Sequence, residues 1–110
     1  MPELYRFVEN LAEAIEVPVN GILSKTIASD DVAKVVLFGM DRGQELSEHT
    51  ASVPALLHIL RGEGELRLAG KVHKVSEGAW VQMTAGLAHS VTALTPLVME
   101  LVLFKQPATS

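Results

Sequence analysis

The chain contains no cysteine. Disulfides and thiolate metal sites are therefore excluded, and any bound metal would have to rely on histidine, carboxylate or water. Basic residues are also few, with nine Lys and Arg against thirteen Asp and Glu and a net charge of −4. Phosphate binding needs a basic face, so no nucleic-acid partner is expected. Long apolar runs are missing as well. Segments such as Leu101–Phe104 fall far short of a membrane span, so no membrane partner is expected. Near the N-terminus Glu3, Arg6 and Glu9 interrupt the apolar residues, which argues against a secretion signal there. The expected location is cytoplasmic.

What is present suits one small globular domain. The chain has 110 residues, 48% of them hydrophobic, and a domain of this size buries roughly two-thirds of its unfolded surface. Leu4, Phe7, Val8, Leu11 and Ile15 recur at helical spacing, so a short N-terminal helix is predicted over Glu3–Val17. Pro18, Asn20 and Gly21 should stop it. Residues 1–20 thus form a helix and linker that would pack on the rest of the chain or on a partner subunit.

After Gly21 the pattern becomes that of short strands rich in Val, Ile, Leu and Thr. Nine are predicted, at Ile22–Ala28, Val32–Met40, Gln44–His49, Ala55–Arg61, Glu65–Leu68, Lys71–Val75, Ala79–Met83, His89–Leu94 and Leu97–Phe104. Ala69-Gly70 reads as a hairpin tip and Gly62-Glu63-Gly64 as a bend. Turns roughly every ten residues, with no crossover helices, predict an all-β sandwich or jelly-roll barrel over 21–105, followed by a polar tail at 106–110. The strands Ala55–Leu60 and Leu97–Phe104 are apolar on both faces and need cover outside as well as inside, which predicts a homodimer.

Two spacings carry more information. Gly43 is followed after five residues by His49, with Gly62 thirteen residues further on; Gly78 is followed after five residues by Thr84, Ala85 and Gly86, and then by His89. This framework resembles the two motifs of the cupin superfamily, and in particular a group of small single-domain cupins of largely unassigned function. The resemblance covers the chain from Gly21 onward. It implies an antiparallel cupin β-barrel (a double-stranded β-helix, or jelly roll) whose histidines project inward. His49 falls on the first histidine of the first motif and His89 on the histidine of the second.

The departures from that pattern bear on chemistry. The second histidine position is Ala51, the glutamate position Ala55, the second-motif proline Thr84 and the final asparagine Ala93. Alanine coordinates nothing, so two of four usual metal ligands are missing, and no cofactor is assigned with certainty. A divalent metal (Zn, Fe, Ni or Mn) would be weakly held by His49 and His89, and His58 would join as a third ligand only if a bulge turned it off its strand's parity. The expected ligand pocket contains His49, His89, Leu57, Ile59 and Val81. His73 reads as exposed, and Trp80 and Met83 first as core.

Three functions follow from this. The preferred one is binding of a small molecule in an apolar barrel pocket, with weak or absent metal dependence. The second is a metal-dependent dioxygenase or isomerase using His49 and His89 with water or His58. The third is metal-free acid–base catalysis by the His49–His89 pair.

Overall fold

A computed structural model of the chain describes residues 4–105. The nine strands are β1 (Ile22–Ser29), β2 (Ala33–Met40), β3 (Glu45–His49), β4 (Ala55–Arg61), β5 (Gly64–Leu68), β6 (Lys71–Val75), β7 (Trp80–Met83), β8 (His89–Ala93) and β9 (Leu97–Phe104). They form two sheets, one ordered β1-β2-β9-β4-β7 and the other β3-β8-β5-β6, with every neighbouring pair antiparallel. The all-β architecture predicted from turn spacing is the observed one, with strand ends agreeing within about a residue or two. The tail expected at 106–110 lies outside the described residues.

Because side chains alternate across a strand, each sheet puts one row of apolar residues inward. Met40, Ala55, Leu57, Ile59, Met83, Leu97 and Met99 come from the five-stranded sheet and meet Leu66, Val91 and Ala93 from the four-stranded one. All are buried, and they form the core between the sheets.

A second, smaller cluster explains why the N-terminal helix is absent. Among the described residues the segment carries only a single 3-10 turn at Leu11–Glu13, capped by the Asn10 side chain, which accepts a hydrogen bond from the Ala12 amide. Residue 3, where the predicted helix began, lies outside the described residues. Ile15 packs instead on Leu37 and Val98, with Leu11, Ala14, Val17, Ile27 and Leu60 around them, on the outer face of the five-stranded sheet. The backbone at Glu16 and Val17 passes so close to Gly39 that a β-carbon there would overlap the Glu16 carbonyl oxygen. A helix, about 10 Å across with its side chains, would hold its backbone away from the sheet, whereas an extended strap can lie directly on a glycine. Helices this short are marginal without packing, so tertiary contact overrides the helical spacing. Asp41 secures the end of the strap by accepting hydrogen bonds from the amides of Asn20 (2.7 Å) and Arg42 (2.8 Å). Those two amides, Asn20 first, hold its carboxyl below the usual carboxylate range.

No helix among the described residues is long and apolar enough to cross a membrane.

Candidate functional site

Strand register brings the two motif histidines together. His49 on β3 is the direct partner of His89 on β8, and their ring centroids are 4.2 Å apart at an interplanar angle of 58°. Simple alternation would not have done this. From Leu46 to His49 is three steps on β3, while the paired positions Val91 and His89 are two steps apart on β8. The extra residue is a bulge, and it turns His49 to the inward face that Leu46 and His89 occupy.

Backbone carbonyls orient both rings. His49 Nδ1 lies 2.8 Å from the Ser47 carbonyl oxygen and His89 Nδ1 2.9 Å from that of Leu87. A carbonyl can only accept, so each Nδ1 carries its hydrogen and each Nε2 is left as the free lone pair of the neutral ring. His89 is buried at 6% exposure, yet no buried side-chain nitrogen or oxygen among the described residues lacks a hydrogen-bond partner. Its Nε2 therefore opens onto accessible space. His49 is exposed.

The same cross-strand row continues from His89 to Leu68 on β5, and Leu68 belongs to the wall of a neighbouring cavity of about 260 Å³. Leu57 and Ile59 from β4, Leu66 from β5, Val75 from β6 and Ala79 and Val81 near β7 complete its apolar lining, joined by His73, Lys74 and Trp80. Three expected pocket residues, Leu57, Ile59 and Val81, thus share one cavity, while His49 and His89 lie beside it and are not part of its wall. Met83 is core, as read from the sequence, but Trp80 is 59% exposed.

His73 was read as exposed, although the signal that places it was available. Ala69 and Gly70 both have positive φ (49° and 84°), the two-residue turn whose twist matches paired strands. That turn pairs Leu68 with Lys71 and hence Leu66 with His73. His73 therefore shares the inward face of the core residue Leu66.

His58 is not brought to the histidine pair. It sits between the inward Leu57 and Ile59, and the only shift in β4 falls between Ile59 and Arg61, beyond the place where a bulge would have turned it. It points to the outer face, with its Nδ1 3.7 Å from Glu100 Oε1.

A family implication of metal can be tested against these donors. His49 and His89 present two free Nε2 atoms, Ala55 is sealed in the core at 2% exposure, and no group of three His, Asp or Glu side chains among the described residues could hold an ion. Catalytic sites of this kind use three protein ligands. The donor set does not fit a resident metal.

Comparison with known proteins agrees with the geometry. The family model described as "Cupin domain" matches residues 36–104. A conserved protein of unknown function from Streptococcus pyogenes is 28% identical, with a TM-score of 0.84, covering 94% of this chain and 91% of that one. A cupin 2 conserved barrel domain protein from Leptotrichia buccalis is 31% identical, with a TM-score of 0.79, over 86% of this chain and 46% of that one. KdgF from Halomonas sp. is 22% identical, with a TM-score of 0.75, over 93% and 94%. No curated protein matches.

Proposed function

Because the chain belongs to the cupin domain family, whose barrel hosts many chemistries, we propose that it binds a small, largely apolar molecule in the cavity between β4, β5, β6 and β7, without a resident metal. The observation that carries this reading is the cavity of about 260 Å³ walled by Leu57, Ile59, Leu66 and Val81. It lies just under the roughly 300–1,000 Å³ of drug-sized sites, and it has the usual make-up of an apolar wall with few polar groups. His73 supplies a polar contact at its wall.

The test uses small ring compounds, with indole as the first probe, followed by thermal melting. A ligand bound only by the folded state, at about a hundred times its dissociation constant, stabilises it by about 2.7 kcal/mol. Wild type should melt higher with the probe, and Val81→Trp, which fills the cavity, should not. An equal rise in both proteins would place the binding elsewhere and reject this reading.

One observation favours a second reading, metal-dependent chemistry. Both Nδ1 atoms are tied to carbonyls, which leaves both Nε2 atoms free to coordinate. Two protein donors hold an ion weakly, since water must complete its shell. Protein purified without added metal should therefore contain far less than one ion per chain by elemental analysis. Stoichiometric metal that disappears in His49→Ala would put the metal reading first.

A further inference from the structure

Taking the cavity as the binding site, as proposed above, we infer that its occupant is a small apolar carboxylate, whose body fills the cavity and whose anionic end meets Lys71 at the barrel mouth. The mouth is the end where the β3–β4 and β7–β8 connections meet, with the Gly86 amide donating to the Ala51 carbonyl oxygen at 2.8 Å. The β5–β6 hairpin tip lies at the same end, since the Ala69 amide donates to the Ala88 carbonyl oxygen at 2.9 Å. Two inward rows of side chains frame this end. On the four-stranded sheet, register sets His49 beside His89, His89 beside Leu68 and Leu68 beside Lys71. On the five-stranded sheet it sets Lys34 beside Leu103, Leu103 beside Ala55 and Ala55 beside Met83.

The inner faces carry charge of one sign only. By strand parity their ionisable residues are Lys34, His49, His89, Lys71 and His73, and no Asp or Glu stands on an inward row. The acidic strand residues lie on outward rows, with Glu45 opposite Thr92, Glu65 opposite Lys74 and Glu100 opposite His58. Lys74 borders the cavity, but its outward position faces Glu65. Asp30, in the turn before Lys34, is occupied by the amides of Val32 (2.8 Å) and Ala33 (2.9 Å). A chain with a net charge of −4 thus keeps its strand carboxylates out of the barrel.

An ammonium with no carboxylate on its own face attracts an anion, and apolar walls beside it strengthen the attraction. The histidine pair cannot hold the carboxylate in its place. Each neutral ring offers an Nε2 lone pair, and a carboxylate likewise offers only acceptors, whereas an ammonium offers three donors. Leu68 links Lys71 to the cavity. It belongs to the cavity wall and is the direct partner of Lys71, and cross-strand partners lie only about 5 Å apart. A molecule seated against Leu66 and Leu68 therefore ends within reach of the Lys71 stem.

Calorimetric titration of the full chain at neutral pH with indole and with indole-3-carboxylate tests this. Wild type should bind the carboxylate about tenfold more tightly than indole, the effect of one charge-assisted hydrogen bond. In Lys71→Met the ratio of the two affinities should fall to about one. Arg67→Met removes the same charge from the outward face of β5 and should keep the wild-type ratio. Val81→Trp, which fills the cavity, should bind neither probe. Wild type that binds indole at least as well as the carboxylate would overturn the inference and leave the cavity reading standing. A tenfold preference that survives Lys71→Met, or carboxylate binding that survives Val81→Trp, would also overturn it. Binding of neither probe to wild type would reject both.

Discussion

Replacing Gly62 with alanine is expected to cost about 3 kcal/mol of stability, a drop of roughly 15 °C in melting temperature for a domain of this size. Two penalties combine. Gly62 has φ of +89°, a region that costs an L-residue about 1–3 kcal/mol. A β-carbon there would also overlap the Pro96 carbonyl oxygen and lie 3.0 Å from Leu97 Cα. Both obstacles are backbone, at the start of β9, and forced shifts in a packed region cost about 1–3 kcal/mol. Gly70→Ala separates the two penalties. Gly70 has φ of +84° but no atom within 4 Å of a β-carbon, so it should carry the conformational cost alone. Denaturant unfolding of the two variants side by side measures the difference. If Gly62→Ala unfolds at the same midpoint as Gly70→Ala, the close approach of the β4–β5 bend to β9 contributes nothing to stability.

Leu97→Ala should be at least as damaging, at about 4 kcal/mol. Leu97 is fully buried, at 0% exposure, in the cluster between the sheets. Deleting a buried leucine's outer atoms costs about 2.7–5.0 kcal/mol, the larger values arising where neighbours cannot move into the void. Here the neighbours sit on paired strands. Leu97 is held opposite Met40 on β2, and Met40 is itself fully buried. The cavity-wall residue Leu68 offers the contrast. It is half-buried and borders space that already exists, so Leu68→Ala should cost about half as much. A typical domain has only about 5–15 kcal/mol to lose, so the Leu97 variant should be the least stable of this set by urea unfolding. A loss below about 2 kcal/mol would mean that the sheets close over the gap.

Much of the site could be read before any coordinates. The parity of β4 put Leu57 and Ile59 on one face and His58 on the other, and that is where they stand. The Ala69-Gly70 turn holds the register that sends His73 inward, whereas its place between Val72 and Lys74 on a hairpin reads as exposed. Trp80 was read as core because it is large and apolar. It is the direct partner of His58 across β4 and β7 and so shares that residue's outer face, on the edge strand of the sheet. The helical spacing of Leu4 to Ile15 was real but misleading. Its apolar residues are used partly as a strap and partly not at all within the chain.

The sequence by itself determined the all-β class, the nine strands, the family through its glycine and histidine spacing, and the loss of two ligand positions to Ala51 and Ala55. These depend on local alternation, turn chemistry and side-chain identity, which are written residue by residue. Tertiary structure alone decided that a bulge in β3 turns His49 toward His89, that the N-terminal segment lies extended against Gly39, and that the cavity opens beside the histidine pair and not around it. Each of those outcomes depends on a partner strand far away in the chain. A bulge exists only relative to the strand it is paired with, and a segment's preference for helix yields to whatever surface is there to bury it.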